Sequence, residues 1–259
     1  KIRGQTVKTV ITTKTASTTE ELEWNGAMIT VSVGGTLDLE NLAFTSVSGS
    51  KYSGTSSTAV IVGSKYAAGS TWASTSATFK NVDFLYFSQA AVVVRGHGVS
   101  AIFTSCLFKG NVVNLSPMQS SDVNKLSWSF PRVNDNSDPE GHSTHYIFAL
   151  ALGISEGASV NVTDSIFEKN GNVENNGDFL GTVVVEGSSS LFMKSSTIDN
   201  NLLEIPAIVV SGEGSTVQLT ECILNSTTGA TVVTVTENLV GDGGATLDDE
   251  FEYMDENGP

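Results

Sequence analysis

Apolar positions along the chain recur in one eleven-residue pattern, present six times: Gly34–Phe44, Ser74–Phe84, Gly98–Phe108, Gly157–Phe167, Ser188–Ile198 and Gly214–Leu224. Within each copy the fourth, sixth, ninth and eleventh positions are apolar or small. The fourth column reads Leu37, Ala77, Ala101, Val160, Leu191 and Val217; the sixth reads Leu39, Phe79, Phe103, Val162, Met193 and Leu219. The eleventh reads Phe44, Phe84, Phe108, Phe167, Ile198 and Leu224. A step of two is strand periodicity, because alternate side chains share a face. The step of three between the sixth and ninth positions breaks that alternation and predicts a corner between two short strands. Another β-rich run precedes several copies, at residues 90–94, 181–185 and 207–210. Each repeat therefore reads as about three short strands with bends between them. A seventh start, Gly244–Leu247, dissolves into acidic sequence.

Repetition of this kind signals a stacked, quasi-one-dimensional architecture. The fold class expected is all-β: a single right-handed parallel β-helix, or β-solenoid, of about seven coils. Copies begin 40, 24, 59, 31 and 26 residues apart. The short intervals suit one coil, and the long ones imply insertions looping out near 45–73 and 112–145. The helix proper is expected over 27–235, with residues 1–26 a cap or exchange strand and 236–259 an acidic terminal coil or tail. The third column (Thr36, Ser76, Ser100, Ser159, Ser190, Thr216) stacks hydroxyls about 4.8 Å apart, enough for a solvated polar ladder. An ice-binding face is excluded by the mixed fifth column, Asp38, Thr78, Ile102, Asn161, Phe192 and Gln218.

The pattern resembles right-handed parallel β-helix domains, and among them the repeats of the polymorphic outer membrane protein type. Those pair a Gly-Gly-aliphatic start with a Phe-x-x-Asn end. Phe108-Lys109-Gly110-Asn111 and Phe167-Glu168-Lys169-Asn170 match the end, and Ile198-Asp199-Asn200-Asn201 is a variant. Gly34-Gly35-Thr36-Leu37 and Gly243-Gly244-Ala245-Thr246-Leu247 approximate the start. The likeness covers about residues 27–227 and implies the fold and a surface setting.

Composition narrows the setting. Charged residues make up 16% of the chain, against about 25% in ordinary globular proteins; Gly, Ser, Thr and Val fill the difference. No apolar run reaches the roughly 18 to 20 residues that a membrane-spanning helix needs. Cys106 and Cys222 share the ninth column three coils apart, on the order of 14 Å, too far for a disulfide, so both read as free thiols. Sequons at Asn114, Asn161 and Asn225 point to a glycosylated, extracellular or cell-surface protein. The net charge of −15 excludes nucleic acid as a partner. Its distribution is polar along the chain. Lys1, Arg3, Lys8 and Lys14 precede any acid, no basic residue follows Lys194, and Asp248, Asp249, Glu250 and Glu252 sit in an acidic close.

Candidate chemistry is sparse. Gly96-His97-Gly98 matches one element of β-helical polygalacturonases, but the Asn-Thr-Asp, Asp-Asp and Arg-x-Lys companions are absent from their places. His97 therefore reads as a turn residue, and no catalytic set, metal centre or cofactor is expected. The sugar-cleaving carboxylate pair, about 5 to 9.5 Å apart, is not found in the outward columns. A row at the corner before the repeat, His97, Glu156, Glu186 and Glu213, offers a place for a ligand or cation. In the second insertion Asp135, Asp138, Glu140, His142 and His145 read as a polar surface loop, with Trp128 and Phe130 packing beside it.

These readings converge on a non-enzymatic extracellular structural or adhesive solenoid. Head-to-tail self-association into filaments would join the basic N-terminal residues to the acidic C-terminal ones. The competing expectation is a carbohydrate-binding or polysaccharide-degrading protein of the pectin-lyase-like class, with glycans as partners.

Overall fold

The computed structural model describes residues 1–3, 8–12, 27–32, 34–46, 58–63, 74–87, 90–111, 130–131, 146–171, 179–199, 206–212, 214–225, 233–236 and 246–248. Strands form two sheets. The first contains β1 (Ile2–Arg3), β2 (Thr9–Thr12), β4 (Thr36–Thr45), β6 (Thr75–Leu85), β8 (Val99–Thr104) and β9 (Leu107–Lys109). It continues through β12 (Ser159–Thr163), β13 (Ile166–Glu168), β15 (Ser190–Lys194), β16 (Thr197–Asp199), β18 (Thr216–Thr220), β19 (Ile223–Asn225) and β21 (Thr246–Asp248). The second holds β3 (Ala27–Val31), β5 (Thr58–Val62), β7 (Val92–Arg95), β10 (Phe130–Pro131), β11 (Tyr146–Ser155), β14 (Phe179–Glu186), β17 (Ile208–Ser211) and β20 (Val233–Thr236). Among the described residues every pairing is parallel except the short β10–β11 contact. The parallel β-helix expected from the repeat is the architecture observed.

Register follows the repeat. Ser100, Ser159, Ser190, Thr216 and Thr246 are successive partners, so the decayed seventh start still adds a strand to the stack. Inward columns pack like on like. Phe44 stacks on Phe84, Phe84 on Phe108, and Phe108 on Phe167, the last two rings 4.4 Å apart and 1° from parallel. Phe79 and Phe103 form a second stack at 4.6 Å. All six rings are fully buried. Each aromatic pair adds about 0.5–1.5 kcal/mol beyond the burial of its area, so the stack fixes register as well as stability.

The corner at the step of three has a simple cause. Asn41, Asn81, Ser105, Asp164, Ser195 and Glu221 all take the left-handed conformation, with φ between 47 and 57°. Asn tolerates that region well, and Asn81 Nδ2 donates to Asn41 Oδ1 at 2.7 Å. The ninth-column residue repairs the bend in later coils. Ser165 Oγ donates to Thr163 O, Ser196 Oγ to Lys194 O, and the thiols of Cys106 and Cys222 point at Thr104 O and Thr220 O. Cys106 is buried as expected, whereas Cys222 is only half-buried; neither forms a disulfide.

A second ladder closes the repeat. Asn111 and Asn170 are buried, and Asn170 Oδ1 accepts from both the backbone N–H and Nδ2 of Asn111. Asn111 Nδ2 also donates to Phe84 O, and Asn170 Nδ2 to Phe108 O. The Asn of Phe-x-x-Asn thus supplies hydrogen bonds to main-chain groups that leave the strand.

One expectation needs adjustment. Thr58–Val62, inside the stretch read as an insertion at 45–73, is strand β5, paired on β3 and β7 with Val60 and Val62 in the core. Its apolar run carries no eleven-residue copy of its own, so the repeat passed over it. Gly63 ends that strand at φ 96°, where a Cβ would lie 1.9 Å from Arg95 O, so the next coil runs directly over it. The N-terminal residues, expected as a cap or exchange strand, pair within their own chain. β1 and β2 pair in parallel on the chain's own β4, and Lys1–Asp38 (2.8 Å) and Lys8–Asp83 (2.5 Å) ion pairs fasten them.

Candidate functional site

His97, Glu156 and Glu186 lie at the corner between the second and first sheets. Val92 and Val94 point into the core, so by alternation Arg95 at the end of β7 points away from it. Arg95 pairs with Ser155, Ile154 with Val185, and Glu186 with Ser211. Glu186 therefore stands beside Ser155, in a column that reads Arg95, Ser155, Glu186, Ser211. This corrects the row drawn from sequence, in which Glu186 lay under Glu156 and His97. The cause is an offset of one residue: Glu156 lies three residues before Ser159, whereas Glu186 lies four before its partner Ser190, so Glu186 falls level with Ser155 and Gly187 with Glu156. Glu213 lies outside the described residues.

His97 and Glu156 are nevertheless close neighbours of this column. Gly157 has φ 82°, and a Cβ there would come within 2.8 Å of His97 Nδ1, so the imidazole rests on its bare Cα. Glu156, itself left-handed at φ 59°, places its backbone N 3.3 Å from where a Gly187 Cβ would be. His97 and Glu156 are exposed, whereas Glu186 is partly buried.

Electrostatics singles out Glu186. Burial pushes the Glu186 carboxyl up to about 8, and the neighbouring Glu156 charge pushes the same way. Glu186 Oε2 is buried without a hydrogen-bond partner. Ser155, only 2% exposed, likewise has a buried Oγ without one. Two orphan polar atoms on adjacent strands are unusual, since buried polar groups are nearly always paired. The corner thus holds a carboxyl that keeps its proton at neutral pH beside a solvent-facing carboxylate. Sequence reasoning found these acids but missed Ser155, whose signal was only its place one residue before Glu156.

Other expected residues are distributed elsewhere. Lys1 and Lys8 bind acids of their own chain. Arg3 ends β1, Asp248 ends β21, and Lys14, Asp249, Glu250 and Glu252 lie outside the described residues. Asn161 is exposed in mid-β12 and Asn225 is exposed at the end of β19; Asn114 is outside the described residues, as are Trp128, Asp135, Asp138, Glu140, His142 and His145. Among the described residues no group of three or more His, Cys, Asp or Glu could hold a metal ion. No helix there is long and apolar enough to cross a membrane, which says nothing about a β-barrel.

A family model described as "Right handed beta helix region" matches residues 66–242. No curated protein sequence matches the chain significantly. Among solved structures, the enzymatically active domain of tailspike protein 4 from bacteriophage CBA120 aligns at 16% identity and a TM-score of 0.31. That alignment covers 81% of this chain, which spans 28% of the tailspike chain. A glycosyl hydrolase candidate from Parabacteroides merdae aligns at 13% identity and a TM-score of 0.24, over 73% of this chain and 82% of the other.

Proposed function

The chain belongs to the right-handed β-helix family, and on that premise we propose that it is a non-enzymatic structural or adhesive module of the cell surface or extracellular space. Copies join end to end by adding the trailing coil of one to the first rung of another. The observation that carries this reading is the edge of β1 and β2. Each pairs with β4 alone among the described residues, and Ile2 (44%) and Val10 (61%) are exposed beside it. A strand edge with free N–H and C=O groups is a template for another strand. Because Lys1 and Lys8 are already matched to Asp38 and Asp83, main-chain pairing holds the contact. Steering by charge falls to Arg3, Lys14 and the acids from Asp248 onward. Exposure of Asn161 and Asn225 supports the extracellular setting, since a glycan attached at either would project into solvent.

The test is light-scattering mass determination across a concentration series. The native chain is expected to grow beyond a monomer, and a Val10→Lys/Ile2→Lys double variant to remain monomeric. A native chain that stays monomeric at every concentration overturns the proposal.

A polysaccharide-acting role draws on one observation: Glu186 is a carboxyl pushed up by burial with a second acid nearby, and a carboxyl that holds its proton is what general-acid work on sugars needs. Release of sugar from a polysaccharide by the native chain, abolished in Glu186→Gln, would put that role in place of the structural one.

A further inference from the structure

We propose that the corner formed by Glu186, Ser155 and Glu156 is a binding site for a primary ammonium group. Glu186 Oε2 and Ser155 Oγ are both buried, stand on adjacent strands, and have no hydrogen-bond partner. An ammonium carries three donors on one small cation, so it can serve Glu186, the Ser155 hydroxyl and the exposed Glu156 carboxylate together. No arrangement of the described side chains does this. Lys194 and Lys169 belong to other corners, and Arg95 stands two strands from Glu186 with Ser155 between them. The remaining neighbours are His97, on the outer side over Gly157, and Ser211 on the next strand.

Charge selects the same ligand class. The Glu156 charge opposes ionisation of Glu186, and a cation between them reverses the sign of that interaction. A metal ion would want more ligands than the corner supplies, since no third His, Cys, Asp or Glu joins the group among the described residues. A net charge of −15 draws cations toward the whole surface. The site is independent of end-to-end assembly, because it lies on the flank of the stack rather than at a strand edge.

Binding is coupled to a proton. Glu186 holds its proton at neutral pH and must release it to receive the cation, so affinity rises with pH until the carboxyl is ionised. The probe is cadaverine, titrated calorimetrically at pH 7 in phosphate and in MOPS, neither of them a primary amine, whose ionisation enthalpies differ. The difference in heat is expected to show close to one proton released per site, and affinity to climb by well over tenfold between pH 6 and pH 8. Glu186→Gln, a near-isosteric change, is expected to weaken binding at least tenfold and abolish the proton release. Ser155→Ala should weaken it a few-fold while circular dichroism stays unchanged. Repeating the titration with Nα-acetyl-lysine methylamide compares a free diamine with a lysine side chain as the natural source. Absence of cadaverine binding, or equal binding by native chain and a folded Glu186→Gln variant, would overturn the proposal.

Discussion

Glu186 is the residue whose surroundings cost the fold most clearly. An unfolded chain loses this proton near pH 4.5, whereas the folded protein keeps it to about 8. Across that window the folded state binds more protons than the unfolded one, so stability falls as pH rises and stays lowered above it. The slope is bounded by about 1.4 kcal/mol per pH unit, and is smaller because the carboxyl is not wholly out of reach of water. Glu186→Gln should therefore melt higher than the native chain at pH 8 and no higher at pH 4; thermal scans at the two pH values check it. The cysteines give a second residue-scale prediction. Burial raises the Cys106 thiol to about 11, and it raises Cys222, half-exposed, in the same direction. Iodoacetamide at pH 8 should modify Cys222 slowly and Cys106 only in denaturant, as mass spectrometry of digests would show.

At the scale of the element, the coil is held by ladders that run across coils rather than along the chain. Replacing Asn170 by Ala removes the acceptor for Asn111 N–H and the donor to Phe108 O. Orphaning two or three buried groups should cost about 2–4 kcal/mol. Asn225→Ala, at an exposed strand end, should stay within about 0.5 kcal/mol; denaturant melts of both variants make the comparison. These elements also show how far the letters could be read. Periods of two broken by a step of three were visible because side-chain alternation is local, so strands such as Ser159–Thr163 and the Phe stack followed from the columns. The ladder role of Asn111 was not visible, since it depends on which carbonyl the next coil leaves unpaired. Strand Thr58–Val62 lacked the flanking pattern that marked the others. The acids of the corner were legible as residues, yet their register was not. Glu186 lies four residues before Ser190 and Glu156 three before Ser159, and the pairing of neighbouring strands turns that one-residue offset into a place for Glu186 beside Ser155.

At the scale of the whole molecule, the stack is a column of similar coils, so its lateral face and its strand edges are separate surfaces. Chemistry at the Glu186 corner can change without touching the edge of β1 and β2, and the reverse also holds. Electron microscopy of the purified chain at low and high salt tests the account most directly. The account predicts regular filaments one coil-stack wide, persisting at high salt because main-chain pairing holds them, and forming faster at low salt where opposite charges steer the ends. Discrete single rods in both buffers, at concentrations well above those used for light scattering, would contradict it.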